Sequence, residues 1–301
     1  MDSAITKTDE NDTVEWSMQY DEAPVIHAFD VAPDESYLWF CKTWGNRIKI
    51  SQINTTDGSL IKSFKSKSDG TGNWISAKMD TSYSSLVISE DSTTVYISAS
   101  NSTDVSRYHC RWIPSSTDNK IRCGTNQLDS DNNTYRMVNS INAVNENVSY
   151  ITLEEINQLY LEVRKIDYSV VSNYVLWTTR VNWDGNIWNT VHNKLLLDHT
   201  NNRIYTSVII GETLGFFVLN MTDGNQVSGT SIFLLNTTCS SRLVYKMHLY
   251  DNKVYIPAQW SRPTLHIYDI TNDIFLDSYI ASKSLKMIFS VIKYNRFNFC
   301  G

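Results

Sequence analysis

The sequence predicts an all-β chain made of one four-stranded antiparallel unit used again and again, and three observations carry that prediction. First, a run of strand-forming residues meets a cluster of Asp, Asn, Ser or Thr and re-emerges as a strand with an aromatic, six times in 301 residues. The clearest copy is LDHTNNRIYTSV at 197–208; the others are FDVAPDESYLWF, VISEDSTTVYISA, INAVNENVSYITL, MHLYDNKVYIPA and IFSVIKYNRFNF. Second, the matched aromatics, Tyr37, Tyr96, Tyr150, Tyr205, Tyr255 and Phe297, lie about 40 to 60 residues apart, the length of a four-stranded blade with its loops. Third, 11 Gly and 5 Pro are few for so many turns, so Asn, Asp, Ser and Thr must shape them by bonding their own backbone. Together these specify a single β-propeller of six four-stranded blades, with seven as the alternative. Its last blade is either incomplete or closed by an N-terminal strand.

The elements follow in order. Residues 1–24 read as an N-terminal arm: 1–12 are polar, and TVEWSMQY at 13–20 alternates as a possible closing strand. The propeller occupies 25–301. Its first blade, about 25–66, holds VIHAFDVA, SYLWFCKTW, RIKISQIN and SLIKSF, with NTTDG at 54–58 as the last turn. The second, about 84–128, has an outer hairpin that carries Cys110 and Cys123. The third, about 137–181, ends in LYLEVRKID and YVLWTTRV. The motifs DGTGNW and NWDGNIW place Trp74 and Trp188 in linkers, where packing over blade junctions is expected. The fourth blade, about 194–235, turns through NMTDG at 220–224, and the fifth, about 243–282, through DITND at 269–273. A sixth copy, 285–301, is partial: two inner strands from the C-terminus with an outer one from 13–20 would complete it, since open strand edges are a liability.

The outer hairpins ISQINTTDGSLIKSF, FFVLNMTDGNQVSG, RKIDYSVVSNYVLW and HIYDITNDIFLDSY resemble the repeats of quinoprotein-like and WD40-like propellers. In those an apolar strand ends in Asp or Asn, turns through Thr-Gly and resumes. Two of the four turns depart from this, with Val171 or Asp273 in place of Gly. The resemblance implies the fold; no adjacent Cys pair or other cofactor motif accompanies it, and no cofactor is expected.

Composition narrows the function. A net charge of −6 without a clustered Lys/Arg run argues against a nucleic-acid partner; the basic residues of 62–67 alternate as an exposed strand face would. No apolar run of about 18 residues exists to span a membrane, and the N-terminus has no apolar leader segment. Between Cys110 and Cys123 a turn at 115–118 sets Ile113 against Lys120, Trp112 against Ile121 and Cys110 against Cys123, so a cross-strand disulfide is expected. Cys41, Cys239 and Cys300 remain as an odd set. Sequons stand at Asn11, Asn54, Asn101, Asn132, Asn147, Asn220 and Asn236. Their number is what the Asn, Ser and Thr content alone would give; position is the better guide, and Asn54 and Asn220 occupy equivalent hairpin tips while Asn132 lies in a polar loop.

No catalytic constellation emerges. The six His form no metal-binding spacing, Asp198–His199 is expected to be a surface polar pair, and His27 and His248 sit in first strands that could line an axial channel. Glu154 and Glu155 point to opposite faces of a strand. The expected function is a non-catalytic extracellular glycoprotein propeller, binding other protein chains or copies of itself and bearing N-linked glycans. The alternatives are a carbohydrate-active hydrolase or lyase with its site at the channel mouth, and a cytoplasmic WD40-like scaffold.

Overall fold

The computed structural model describes residues 4–9, 13–19, 26–44, 47–65, 85–100, 107–113, 121–124, 135–155, 160–169, 175–182, 194–210, 213–227, 233–236, 243–244, 247–259, 263–276, 279–280 and 296–300. These are strands and turns throughout. In chain order β1 is Ala4–Thr8 and β2 Val14–Gln19; β3 to β6 are Ile26–Val31, Tyr37–Trp44, Arg47–Asn54 and Leu60–Lys65. Strands β7 to β10 are Ser85–Ile88, Val95–Ser100, Arg107–Trp112 and Ile121–Gly124, and β11 to β14 are Tyr135–Ala143, Val148–Glu155, Tyr160–Asp167 and Val175–Asn182. Next come β15 to β18, Lys194–Asp198, Arg203–Ile210, Thr213–Asn220 and Phe233–Asn236. Then follow β19 Leu243–Val244, β20 His248–Tyr250, β21 Lys253–Gln259, β22 Pro263–Asp269, β23 Ile274–Phe275, β24 Tyr279–Ile280 and β25 Arg296–Cys300.

Four sheets are simple four-stranded meanders: β3-β4-β5-β6, β7-β8-β9-β10, β11-β12-β13-β14 and β15-β16-β17-β18. A fifth is the same meander with its outer positions split, so that β19 and β20 both pair β21, and β23 and β24 both pair β22. The described residues form two compact units, 1–149 with 288–301, and 150–287.

Burial follows position in each meander. Leu38 to Cys41 and Ile50 to Ile53 are buried at consecutive residues, as are Ile204 to Val208, so the middle strands are covered on both faces. Outermost strands are not: Leu60 to Ser63 are exposed in succession, and β14 alternates half-buried with exposed from Val175 to Arg180. Lys62 is therefore on an open strand, as its Ser-rich setting suggested. Packing of the second unit centres on Tyr205, Phe216, Tyr268 and Phe275, whose ring centroids lie 5.0 to 6.0 Å apart. Such pairs contribute about 0.5–1.5 kcal/mol each beyond their area burial.

The N-terminal arm requires a correction. Residues 4–8 are not a polar tail but β1, the middle of a three-stranded sheet ordered β2-β1-β25. Ile5 explains why: fully buried among Leu38, Phe40 and Ile53, it anchors a strand whose other residues are Ala, Thr and Lys. The sequence had placed an N-terminal strand beside the C-terminal one; the strand that pairs β25 is β1, and β2 lies outside it.

Candidate functional site: the linked turns

The turns between first and second strands and between third and fourth strands are joined to one another by hydrogen bonds. Within the first sheet, Thr55 N–H donates to the Ser36 carbonyl at 3.3 Å and the Thr55 hydroxyl donates to the Glu35 carbonyl. The second unit repeats the device: Met221 N–H to Asn202 O at 3.0 Å, and Ile270 N–H to Asn252 O at 3.0 Å. Each short turn is itself tied by an Asx bond. Asn54 Oδ1 accepts from Thr56 N–H at 2.7 Å, Asp57 Oδ1 from Ser59 N–H at 2.9 Å, Asn220 Oδ1 from Thr222 N–H at 2.8 Å and Asp223 Oδ1 from Asn225 N–H at 2.9 Å. That is how chains poor in Gly and Pro turn. Where the backbone must go left-handed, Glu35, Ser92, Asn202 and Asn252 do so with φ of 53° to 61°.

Bonds also run from sheet to sheet. In the first unit the Tyr37 hydroxyl donates to Ser92 O at 2.9 Å, and the Tyr96 hydroxyl to Asn145 O at 2.8 Å. Ile88 N–H donates to buried Asp30 Oδ2 at 3.0 Å, and Glu90 N–H to Ala143 O at 2.9 Å. The matched aromatics thus do more than pack: at Tyr37 and Tyr96 the phenol end latches the next turn. Burial raises the pKa of both hydroxyls, so they stay neutral donors. In the second unit the Tyr150 hydroxyl donates to Met221 O at 3.4 Å, while the Tyr205 hydroxyl turns to its own sheet's Asp198 Oδ2 at 3.1 Å. Asp198 is 1% exposed and also accepts from Asn201; the expected surface pair with His199 is therefore corrected, since only His199 is exposed.

Two tryptophans clamp the NTTDG and NMTDG turns. Trp16 on β2 donates its indole N–H to Thr55 O at 2.9 Å and covers Gly58, where a Cβ would lie 2.8 Å from the ring. Trp177 on β14 covers Gly224, where a Cβ would lie 2.5 Å from Cε3, and Thr179 donates to Gly224 O at 2.6 Å. Both glycines have φ near +75°. The third sheet also carries a buried ion cluster. Glu162, 0% exposed, accepts from Arg164 Nε at 2.9 Å and from Arg180 Nε at 2.8 Å; Arg180 is its direct cross-strand partner. Neither device was read from the sequence.

In the first unit the linked turns run without a break from Trp16 through 54–58, 32–36, 89–94 and 143–147. They expose Asp34, Asp57, Glu90, Asp91 and Glu146, with Glu35 half-buried; the Arg111 guanidinium lies beside them and donates to Glu146 O. The Ser36 hydroxyl holds the Asp34 carboxyl below its ordinary pKa, and the Ser59 amide does the same for Asp57. Chemically this is a preformed, anionic, acceptor-rich surface. Among the described residues no group of three or more His, Cys, Asp or Glu is placed to hold a metal ion, and no helix is long and apolar enough to cross a membrane.

The sequence-predicted sites fall as follows. Asn54 and Asn220 are half-buried at the strand ends that enter the NTTDG and NMTDG turns, and the sequon residues Thr56 and Thr222 are exposed. Asn147 lies in the β11–β12 turn with Arg111 3.4 Å from its Oδ1. Asn236 stands in β18 opposite Thr213 rather than in a loop. Asn11, Asn101 and Asn132, with Trp74, Trp188 and Cys239, lie outside the described residues. Cys110 and Cys123 face each other in register, with Trp112 opposite Ile121, the pairing that counting outward from the turn gave. Cys41 is a buried thiol outside any disulfide.

Comparison with known proteins gives fold and nothing finer. No family model and no curated protein matches the chain. Among solved structures it is similar to a chain of the nidogen/laminin complex, at 10% identity and TM-score 0.52, covering 92% of this chain and 93% of that one. It is similar to U3-55K at 12% identity and TM-score 0.52, over 87% and 66% of the two chains. The dihydro-heme d1 dehydrogenase NirN in complex with DHE matches at 9% identity and TM-score 0.52, over 93% of this chain and 54% of that one. The chain therefore spans about two thirds of the second and half of the third. At such identities the likeness establishes an all-β, propeller-like fold.

Proposed function

We propose that this chain is a non-catalytic binding and assembly module, secreted as a glycoprotein, which engages a basic protein surface through its linked turns. The observation that carries the proposal is the unbroken line of hydrogen-bonded turns from Trp16 to Asn147. Binding surfaces gain affinity from preorganisation, because little side-chain and loop entropy remains to be lost, and these turns are already fixed. Their exposed carboxylates set the sign of the partner and would steer its approach. A neighbour of like fold belongs to a complex between two proteins, nidogen and laminin, which supports a binding role. The sequons at the Asn54 and Asn220 turns and the Cys110–Cys123 register support an oxidising, extracellular setting.

The binding half is tested by fluorescence anisotropy with labelled peptides graded from basic to acidic. Affinity is expected to rise with peptide positive charge and to weaken with salt. It is expected to fall in an Asp34→Asn/Asp57→Asn/Asp91→Asn chain, which keeps the Asx acceptors while removing charge. Equal affinity across the series, or binding indifferent to those substitutions, overturns it. The glycoprotein half is tested by mass spectrometry of the secreted chain: occupied Asn54 and Asn220 with a Cys110–Cys123 linked peptide are expected, and unmodified asparagines in native material overturn it.

A further inference from the structure

Residues 4–19 form a self-paired hairpin seated on a surface made by distant parts of the chain. Internally β1 and β2 pair from Ala4↔Gln19 to Thr8↔Val14, reinforced by Lys7–Glu15 at 2.6 Å and the Thr6 and Ser17 hydroxyls at 3.0 Å. Externally β1 pairs β25 from Ala4↔Cys300 to Thr8↔Arg296. Ile5 enters the Leu38, Phe40 and Ile53 cluster, with Trp16 and Met18 packed on it. Trp16 caps Thr55 O and Gly58. Trp177 makes the same ring-over-glycine contact in the second unit, but from β14, a strand paired along its length with β13 of its own four-stranded sheet. That ring cannot leave its glycine without unmaking the sheet. The hairpin, by contrast, pairs outside itself along β25 alone among the described strands, so the four-stranded sheets keep every strand pairing of their own without it.

We propose that the hairpin is exchanged between copies of this chain, the receptor of one copy taking residues 4–19 of a second. Everything the hairpin touches outside itself is tertiary, so the exchanged form reproduces each contact and needs no new interface. A receptor that has lost its hairpin presents the β25 edge and the apolar side chains Leu38, Phe40 and Ile53. Such an edge is a template for strand addition, and the segment that fits it residue for residue is another copy's hairpin. This deepens the assembly part of the proposed function; its test reads a covalent link, whereas the binding test reads peptide affinity, so each can fail alone.

Because Ala4 pairs Cys300, an Ala4→Cys full-length chain carries a trap with one substitution. Unlabelled and 15N-labelled chains are mixed at low and high concentration, warmed, oxidised with glutathione disulfide, and digested. The expected result is mixed-isotope linkage between the new thiol and Cys300, with the ratio of exchanged to closed chains rising in proportion to concentration, about tenfold for a tenfold increase, by mass action. Adding Trp16→Ala, which frees the Thr55 and Gly58 side of the seat, should speed isotope mixing while the linked residues stay the same. Linkage confined to one isotope at every concentration overturns the exchange; absence of any linkage to Cys300 overturns the pairing on which it stands.

Discussion

Gly224→Ala should cost about 3 kcal/mol, and the structure says where that comes from. Gly224 sits at φ +75°, where an alanine pays roughly 1 kcal/mol for the left-handed backbone. Its new Cβ would stand 2.5 Å from Trp177 Cε3 and 2.6 Å from Thr179 Oγ1, contacts that real side chains do not make. Relief requires shifting a packed indole or breaking the Thr179 bond to Gly224 O, an overpacking cost of about 1–3 kcal/mol. Urea unfolding followed by tryptophan fluorescence measures the difference. With an unfolding entropy of about 2.1 cal/mol/K per residue over the chain, the same loss lowers Tm by about 5 °C. Gly224→Asn separates the two terms, because Asn tolerates the left-handed region but brings the same Cβ; it should recover the backbone part alone. Gly58→Ala should be milder, since all three nearest atoms there belong to the Trp16 ring, on a hairpin that can tilt. A loss below about 0.5 kcal/mol at Gly224, or full recovery with Asn, refutes the steric account.

Two further outcomes follow from buried charge. Glu162→Gln leaves Arg164, itself 7% exposed, against an uncharged partner in a dry site, and should lower unfolding stability by about 3–5 kcal/mol, whereas Arg180→Gln, whose side chain is 54% exposed, should cost under about 1 kcal/mol. Burial holds the His266 imidazole down at about 4, so below about pH 6.5 the unfolded chain takes up a proton that the folded chain refuses; stability should fall from pH 6.5 to 4 by up to about 3 kcal/mol and then level off. Denaturation curves across that window should lose this component of the slope in His266→Phe.

What the sequence yielded were the features set by counting. The Cys110↔Cys123 register follows from the position of a turn and the one-for-one pairing of antiparallel strands, and neither needs tertiary knowledge. Pairs of like turns, NTTDG and NMTDG, were legible as words for the same reason. The Asp198 environment was not: adjacency to His199 in sequence points two side chains of a strand end in different directions, and what buries one is a tyrosine seven residues away. Strand β1 was hidden because one isoleucine carries its apolar content, too little for an alternation to show. The burial of Glu162 was not legible, because its i+2 neighbour Arg164 and its cross-strand partner Arg180 are charged residues of strands that, by composition alone, read as exposed.

The tryptophan-over-glycine contacts were not legible in the sequence either, because ring and turn come from segments far apart in the chain. Trp74 and Trp188, expected over blade junctions from their shared linker motif, lie outside the described residues; among the described residues the indoles that cover a turn glycine are Trp16 and Trp177. Trp16 precedes Gly58 by 42 residues and Trp177 precedes Gly224 by 47, nearly one repeat in each case. A constant offset of one repeat means that the ring comes from the outermost strand of the unit before the turn. For Gly224 that unit is the third sheet, and the strand is β14. For Gly58 the strand is β2, in the sheet ordered β2-β1-β25. The β2-β1-β25 sheet therefore serves the first repeat as the third serves the fourth. The Trp16 contact thus joins the β2-β1-β25 sheet to the first sheet from a strand outside that four-stranded meander, which is why Trp16→Ala and Gly58→Ala should loosen the seating of the hairpin.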